Sequence, residues 1–588
     1  MKISAVTAIF FLIAWLTGVS GLYFWKKTQK KLYGVTWMGI VCVASLCFHV
    51  LVAALINIIH IPVNVISIGI ADLLCGVWFW YRIIKKGEKQ KYTYEIIDGV
   101  FLVLLFGVIA WLVRQRYGLI LDIHYATVDP AAHFQDAMNV VANQKVSNMF
   151  YAALNNALLI EAMGWLTKVD YYYKIFVLAD VLHFALAGLG FYGLLRKWAK
   201  DRFMKVAACV GTFIYLFGFP LNSTLFGFVY LGMGITIIGY LINITDSLLE
   251  DEYSQRVSII LLSLGCLGLF ESYVMFMPVV YFGILLTILV KQQRKSMLVS
   301  KDTVKICLEI FLIPCVLGLY YTYFGVFSDG LTVGSAIANE GHIYRDLYSN
   351  FLPFLPLALF GIWQFAKMKK WTAEVCIFPL AAVFTIGLFL MGLQGRASSY
   401  YYFKMYYLLW LLVFLLLYRG IESIHVSSRG VVVGYFLTWL LVIGIFFFNV
   451  EDRIQAKNPL FAPTKKSDLL NDVYSYNRGQ LHTERYSPGK MQLYHYAYGL
   501  LEQGQEVVPL AGFFEDDYWY QAVTNQRMKS FAYWNIGEEK YFENLEKDAE
   551  YVCVLYGHDF YEENQEYFES MEHVYQNDAG FIGKVNKK

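Results

Sequence analysis

The stretch VTAIFFLIAWLTGVSGLYFW, Val6 to Trp25, decides the fold class, because it is an uninterrupted apolar run as long as a membrane-spanning helix. A helix needs roughly 20 apolar residues to cross the hydrocarbon core of a bilayer. A second such run, GVVVGYFLTWLLVIGIFFFNV, ends at Val450. Further apolar runs recur between these two, so the sequence predicts a polytopic α-helical membrane protein.

The composition and the spacing of the runs support this prediction. Of 588 residues, 58% are hydrophobic and only 16% are charged, and the mean hydropathy is +0.47. A soluble domain usually carries about 25% charged residues. We expect about fourteen transmembrane helices. They are placed at 4–25, 34–57, 62–82, 97–114, 171–195, 204–220, 225–244, 256–273, 274–291, 303–325, 350–367, 372–392, 402–419 and 430–450.

The short basic loops predict the orientation. Lys and Arg are concentrated at Lys26–Lys31, Arg82–Lys91, Arg196–Arg202, Lys291–Lys295 and Lys367–Lys370, which all fall on one side of the predicted helices. Cytoplasmic loops carry such an excess of positive charge. We therefore expect a multi-pass protein of the cell membrane whose N-terminus and C-terminal domain lie outside the cytoplasm.

This orientation divides the chain into three parts. Residues 1–95 are the N-terminal transmembrane helices, and 96–450 form the transmembrane core, with exterior loops at 114–170, 326–350 and 392–404. Residues 451–588 are polar and rich in tyrosine. Within them QEVVPLAG, AEYVCVLYG and GFIGKV resemble short strands, whereas PTKKSDLLNDVYSYNRG and DFYEENQEYFESMEHVYQ resemble helices. We expect this part to be a small extracytoplasmic α/β domain.

The first exterior loop concentrates titratable groups in LDIHYATVDPAAHFQDAMN, Leu121 to Asn139. Asp129 suits a helix N-cap, and Pro130 suits the first helical position. Asp129, His133 and Asp136 then share one helical face. They are either a cap and a solvated face, or a catalytic group. One imidazole and two carboxylates could also hold a divalent metal, although no cofactor follows with certainty from the sequence.

Other exterior loops carry cations and further acids. Arg396 and Lys404 lie in GRASSYYYFK, either as snorkelling cations in an aromatic belt or as a phosphate site. His342 and Arg345 are further phosphate-binding candidates. The candidates for a second acid are Asp122, Glu271 and Glu340. A carboxylate that deprotonates an acceptor hydroxyl, with cations that stabilise a leaving phosphate, would suit glycosyl transfer.

TVDPAAHF and GRASSYYYFKMYYLLWLL resemble loops of the GT-C superfamily, the integral membrane glycosyltransferases that use polyprenyl-phosphate sugars. The resemblance covers about Phe101 to Lys588. In much of the superfamily the loop that bears the essential Asp follows the first span, whereas here about four predicted spans precede it. The resemblance implies that Asp129 is the general base, beside His133 and Asp136, and that Arg396, Lys404, Arg345 and His342 bind the donor phosphate.

The expected activity is therefore that of a hexosyltransferase. Its donor would be a polyprenyl-phosphate sugar, and its acceptor an envelope glycan, lipid or protein, as in the biosynthesis of cell-envelope polysaccharide. No nucleic-acid partner is expected. A transporter or flippase for lipid-linked saccharides is one alternative, since Asp180 and His183 lie within a predicted span. A polysaccharide polymerase and a non-catalytic membrane scaffold are the others.

Overall fold

Helices make up most of the protein in the computed structural model. It describes residues 4–146, 153–293, 300–324, 350–397, 399–424, 426–447, 473–510, 514–525 and 540–586. The first helices are α1 (Ala5–Phe24), α2 (Gly34–Ile58), α3 (Val65–Lys86), α4 (Ile96–Leu112), α5 (Asp129–Asn143), α6 (Ala153–Met163) and α7 (Tyr173–Trp198). Then come α8 (Arg202–Phe217), α9 (Phe219–Phe226), α10 (Val229–Leu249), α11 (Gln255–Tyr273), α12 (Met277–Gln293), α13 (Lys301–Thr322), α14 (Leu355–Lys367), α15 (Ala373–Leu393), α16 (Ser399–Glu422) and α17 (Arg429–Phe447).

In the described ranges, 11 helical segments are long and apolar enough to cross a membrane, so the protein fits the predicted polytopic class. Three predicted spans account for the difference from fourteen. A 3₁₀ turn at Val274–Phe276 joins α11 to α12, and the two count as one segment, Gln255–Val290. Helix α14 has 13 residues, and the apolar part of α17 is Arg429–Gly444. The number fourteen stays a prediction.

Small residues allow the helices to approach closely. A Cβ on Gly361 of α14 would lie 2.2 Å from the carbonyl oxygen of Leu416 in α16. A Cβ on Gly420 would lie equally close to the carbonyl oxygen of Leu357. Membrane helices associate through such small-residue contacts, because lipid gives them no hydrophobic drive to pack against one another.

Ion pairs cluster at the end of the bundle that carries the basic loops. The buried Arg196 guanidinium is 2.8 Å from both Glu95 and Asp98, and Lys205 also pairs with Glu95. Arg419 pairs with Asp246 and Glu374. At the same end, β1 (Leu32–Tyr33) and β2 (Tyr92–Thr93) form a two-stranded parallel sheet. Buried charges at this end are thus compensated by partners from neighbouring helices.

The C-terminal part contains a four-stranded sheet of order β3-β4-β6-β5. Its strands are β3 (Val507–Leu510), β4 (Tyr551–Leu555), β5 (Glu572–Asn577) and β6 (Gly580–Lys584). Helix α18 (Val473–Leu481) packs on α8 and α9 of the bundle. The other helices of the C-terminal part are α19 (Pro488–Glu502), α20 (Phe514–Thr524), α21 (Tyr541–Asp548), α22 (Asp559–Glu563) and α23 (Gln565–Glu569). The three predicted strands are present. The fourth, β5, was wrongly predicted as the end of a helix.

One buried apolar cluster joins this sheet to the first predicted exterior loop. It includes Phe134 of α5 and Leu158 of α6 together with Trp519 of α20 and Ile582 of β6. Tyr125, before α5, stacks on Trp519 with ring centroids 6.2 Å apart. The C-terminal elements therefore pack directly against the segment that carries the candidate site.

Candidate functional site

The candidate site begins at the first turn of α5. The helix starts at Asp129 itself, with Val128 at the N-cap, one residue earlier than predicted. Two hydrogen bonds fix the approach to this turn: Ala126 N–H donates to the Leu225 carbonyl at 3.0 Å, and the Thr127 hydroxyl donates to the Phe226 carbonyl at 2.9 Å. The end of α9 thereby positions Asp129.

Gly227 brings the α9–α10 turn against the same point. Its φ is +71°, and a Cβ there would lie 2.0 Å from Pro130 Cγ and 3.0 Å from Tyr125 Cδ1. Glycine is required for both reasons, because other L-residues rarely adopt this backbone region and no side chain fits. The close contact holds Pro130, and with it the neighbouring carboxylate.

Lys404 comes to the site from α16. Its side chain is only 3% exposed, and its Nζ lies 3.0 Å from the ring centroid of Phe228 and 4.5 Å from that of Tyr400. In the described part of the chain, Nζ has no hydrogen-bond partner. Aromatic faces attract a cation, but they leave its three N–H donors available. A buried ammonium of this kind can receive an anionic ligand.

Asp129, His133 and Lys404 interact electrostatically, and the charge of Lys404 acts on the other two. Burial raises the pKa of Asp129 above its usual range, and the Lys404 cation opposes that rise. Burial, with a further contribution from Lys404, lowers the pKa of His133 to about 3. His133 is therefore neutral at physiological pH, and its ring packs edge-on against Tyr230 with centroids 4.4 Å apart.

Asp136 lies farther along α5 and is exposed at the protein surface. Partial burial of its carboxyl group still raises its pKa to about 6. It shares the helix with Asp129 and His133, as the spacing predicts, but no electrostatic effect of Lys404 on it is found. The structure thus brings two of the three predicted catalytic residues to the cation.

The other predicted site residues lie elsewhere. Asp122 faces Arg485, with 3.8 Å between the carboxylate and the guanidinium. Glu271 is buried in α11, where the Ser272 hydroxyl donates to it at 3.3 Å. Arg396 is exposed just beyond α15, and no described contact joins it to Lys404. His342, Arg345 and Glu340 lie outside the described residues.

The structure adds groups that the sequence did not reveal. Tyr518 of α20 interacts electrostatically with Asp129, so the C-terminal part contributes to the surroundings of the candidate base. The Tyr125 hydroxyl donates to Asp180 Oδ2 at 2.5 Å, so Asp180 is held by the loop before α5. No local spacing could have found these contacts, because each joins segments that are distant in the chain.

His124 and Arg116 attach the C-terminal part beside the site. Arg116 is fully buried, and its guanidinium donates to the carbonyls of Gln480 and Leu225. It also bonds His124 Nε2 at 2.9 Å, while His124 Nδ1 is 2.8 Å from the Arg116 carbonyl. The imidazole must accept at Nε2 and donate at Nδ1, which is the arrangement of a neutral ring.

Comparison with protein-family models gives no match, and comparison with curated protein sequences gives none either. Among the described residues, no group of three or more His, Cys, Asp or Glu side chains is arranged to hold a metal ion. The site is therefore defined by its own geometry: a buried cation that has no hydrogen-bond partner among the described residues, a carboxylate with a raised pKa and a neutral imidazole.

Proposed function

We propose that the protein is a membrane glycosyltransferase of the GT-C type, which transfers a sugar from a polyprenyl-phosphate donor to an extracytoplasmic acceptor of the cell envelope. The observation that carries the proposal is Lys404, a buried ammonium to which the described part of the chain offers no hydrogen-bond partner, beside Asp129 and His133. A phosphate suits this cation, because charge-assisted hydrogen bonds would satisfy its donors. We place the site outside the cytoplasm because the ion-paired basic loops lie at the other end of the bundle.

In the proposed reaction the Asp129 carboxylate takes the proton of an acceptor hydroxyl as its oxygen attacks the anomeric carbon of the donor sugar. The bond from that carbon to the phosphate oxygen breaks, and the phosphate leaves beside Lys404, whose charge stabilises it. Neutral His133 and Tyr518 border the carboxylate. The C-terminal elements, which we take to be an extracytoplasmic α/β domain, cover this side of the site.

The test is sugar incorporation into envelope polymer by membranes that contain the Asp129→Asn variant. We expect a loss of at least about 100-fold, in the range of a positioned general base. Asp302→Asn is a matched control, because Asp302 is also in the first turn of a helix, α13, but lies among exposed residues. Full activity of the Asp129 variant would exclude Asp129 as the base.

A transporter for lipid-linked saccharides is the second candidate, and buried polar groups within the spans favour it. His49 Nε2 lies 2.9 Å from Asp72 Oδ2, and both residues are in the middle of long apolar helices. Intramembrane ionisable pairs often mark transport pathways. Movement of a labelled lipid-linked sugar across sealed vesicles without any acceptor, abolished by His49→Gln, would favour this alternative over the transferase.

A further inference from the structure

A cavity of about 330 Å³ lies inside the bundle, apart from the Lys404 site. Helices α1, α2, α4, α6 and α7 surround it, mostly with apolar side chains such as Phe11, Leu105 and Leu186. Two lining residues, Leu102 and Leu182, are 38% and 45% exposed and belong to helices long and apolar enough to cross a membrane. We take them as the lipid side of the cavity, whose volume is within the usual range of small-ligand sites.

The polar groups of the wall are few and carry no fixed charge. Lys, Arg, Asp and Glu are absent from the lining that the structure describes, and the polar members include Asn155, Asn156, His49 and His183. Asn156 is only 3% exposed. Among the described contacts, Oδ1 of Asn155, Oδ1 of Asn156 and Nδ1 of His183 have no hydrogen-bond partner. Buried polar atoms without partners cost free energy, so a ligand that donates hydrogen bonds here would be stabilised.

The two asparagines lie on one helix, α6, while α1, α2 and α4 supply mainly hydrocarbon. A ligand that fits has a polar head at α6 and an apolar chain between the other helices. A phosphate head is unfavourable, because the described wall has no Lys or Arg, its His49 is already paired with Asp72, and an unpaired charge is costly in an apolar surrounding. A pure hydrocarbon would leave the asparagine oxygens without donors.

We propose that this cavity binds one chain of a neutral lipid with a free hydroxyl, placed against Asn155 and Asn156. The lipid enters sideways past Leu102 and Leu182, and its chain lies along Phe11 and Leu186. None of these residues belongs to the Lys404 group, so the proposal does not depend on the proposed glycosyl transfer. The two can fail separately.

The test uses the full chain in phosphatidylcholine nanodiscs with a photoactivatable diacylglycerol, followed by mass spectrometry of labelled peptides. We expect labelling of α2, α6 or α7, and its loss in the presence of excess unlabelled diacylglycerol. Leu186→Trp fills the cavity and should lower labelling at least about fivefold, since core space does not accept both groups. Leu104→Trp is the matched control, because Leu104 is 47% exposed on α4 and lies outside the lining.

The hydroxyl is tested with Asn156→Leu, which keeps the side-chain volume and removes the amide. We expect labelling by diacylglycerol to fall about fivefold, the effect of losing one neutral hydrogen bond. It should then equal the labelling by the acetyl ester of diacylglycerol, which lacks the free hydroxyl. Gel filtration and the melting temperature show whether each variant folds, and competition in the unaltered protein needs no variant. Any one of three results would overturn the proposal: equal labelling by a photoactivatable phosphatidic acid, no loss of labelling with excess diacylglycerol, or no loss of labelling in the Leu186→Trp variant.

Discussion

At the scale of single residues, the site depends on opposite charges that are both removed from water. Burial disfavours the charged form of the Asp129 carboxylate, and the nearby Lys404 ammonium partly offsets this effect. Neither residue alone would keep its charge as easily at that position. Each charge therefore stabilises the other, and removing one side chain should change the pKa of the other.

Lys404→Met should raise the pKa of Asp129 further, because the cation that favours the carboxylate is gone. On acidification, the Asp129 carboxylate would then be protonated, and would stop acting as a base, at a higher pH than in the unaltered protein. An infrared titration of the protonated carboxyl band, assigned with Asp129→Asn, measures this shift without a known substrate. Lys404→Arg keeps the charge and should change the midpoint little. If the titration midpoint of Asp129 is unchanged or lower in the Lys404→Met variant, the two side chains do not interact as described.

Gly227→Ala should destabilise the protein by about 2–4 kcal/mol, since it combines a strained backbone with a clash against Pro130. The melting temperature in detergent reports the loss. Gly395→Ala is the matched control, because Gly395 also has a positive φ, +67°, but nothing lies within 4 Å of its Cβ position. It should cost only about 1 kcal/mol. Equal effects of the two substitutions would show that the turn does not press on Pro130.

At the scale of elements, the sequence predicts the long apolar helices well, because apolar length is a local property. The start of α5 was predicted to within one residue from Asp129 and Pro130. Strand β5 was missed because its polar residues, Glu572 to Asn577, lie at the edge of the sheet and pair only with β6. Lys404 was identified as a cation of an exterior loop, but its position against Phe228 depends on long-range packing that no spacing encodes.

The contact between His124 and Arg116 attaches the segment between α4 and α5 to the C-terminal part through Gln480 and Thr483. The strength of this attachment should depend on pH. Burial, aided by the Arg116 charge, lowers the pKa of His124 from 6.5 to about 4. The folded state excludes a proton that the unfolded state binds, so the stabilisation is complete above about pH 6.5 and falls on acidification, by at most about 1.4 kcal/mol per pH unit. Hydrogen exchange of α19, corrected for its intrinsic rate, should therefore quicken between pH 7 and pH 5.

His124→Gln removes this titration, so it should flatten the pH dependence in α19 while lowering protection at pH 7. His60→Gln, at an exposed position, should leave both unchanged. His133 titrates in the same direction, with a pKa of about 3, and its effect should be seen in α5 rather than in α19. An unchanged pH dependence in the His124 variant would assign the effect to another group.

At the scale of the whole molecule, the apolar cluster shared by α5, α6 and the C-terminal sheet makes the last part of the chain integral to the site. Trp519 stacks on Tyr125, Tyr518 interacts electrostatically with Asp129, and the Arg116 guanidinium donates to the Gln480 carbonyl. In the glycosyltransferase that we propose, the C-terminal part is therefore a wall of the site. This expectation can be tested without any substrate.

A break of the chain within 448–472 should leave two fragments that co-purify when expressed together, because the shared core and the Arg116 contacts lie on both sides of the break. Arg116→Gln removes the charged donor of the Gln480 carbonyl, which lies on the other side of the break, and should weaken association by about 2–3 kcal/mol, or roughly 30- to 150-fold. Arg114→Gln is the matched control: Arg114 is exposed two residues earlier, and its described contact with the C-terminal part is made by its carbonyl, which the substitution keeps, so it should change association by less than about 0.5 kcal/mol. Gel filtration and pull-down measure both effects. Fragments that elute separately, or equal losses in the two variants, would show that the C-terminal part is only loosely attached.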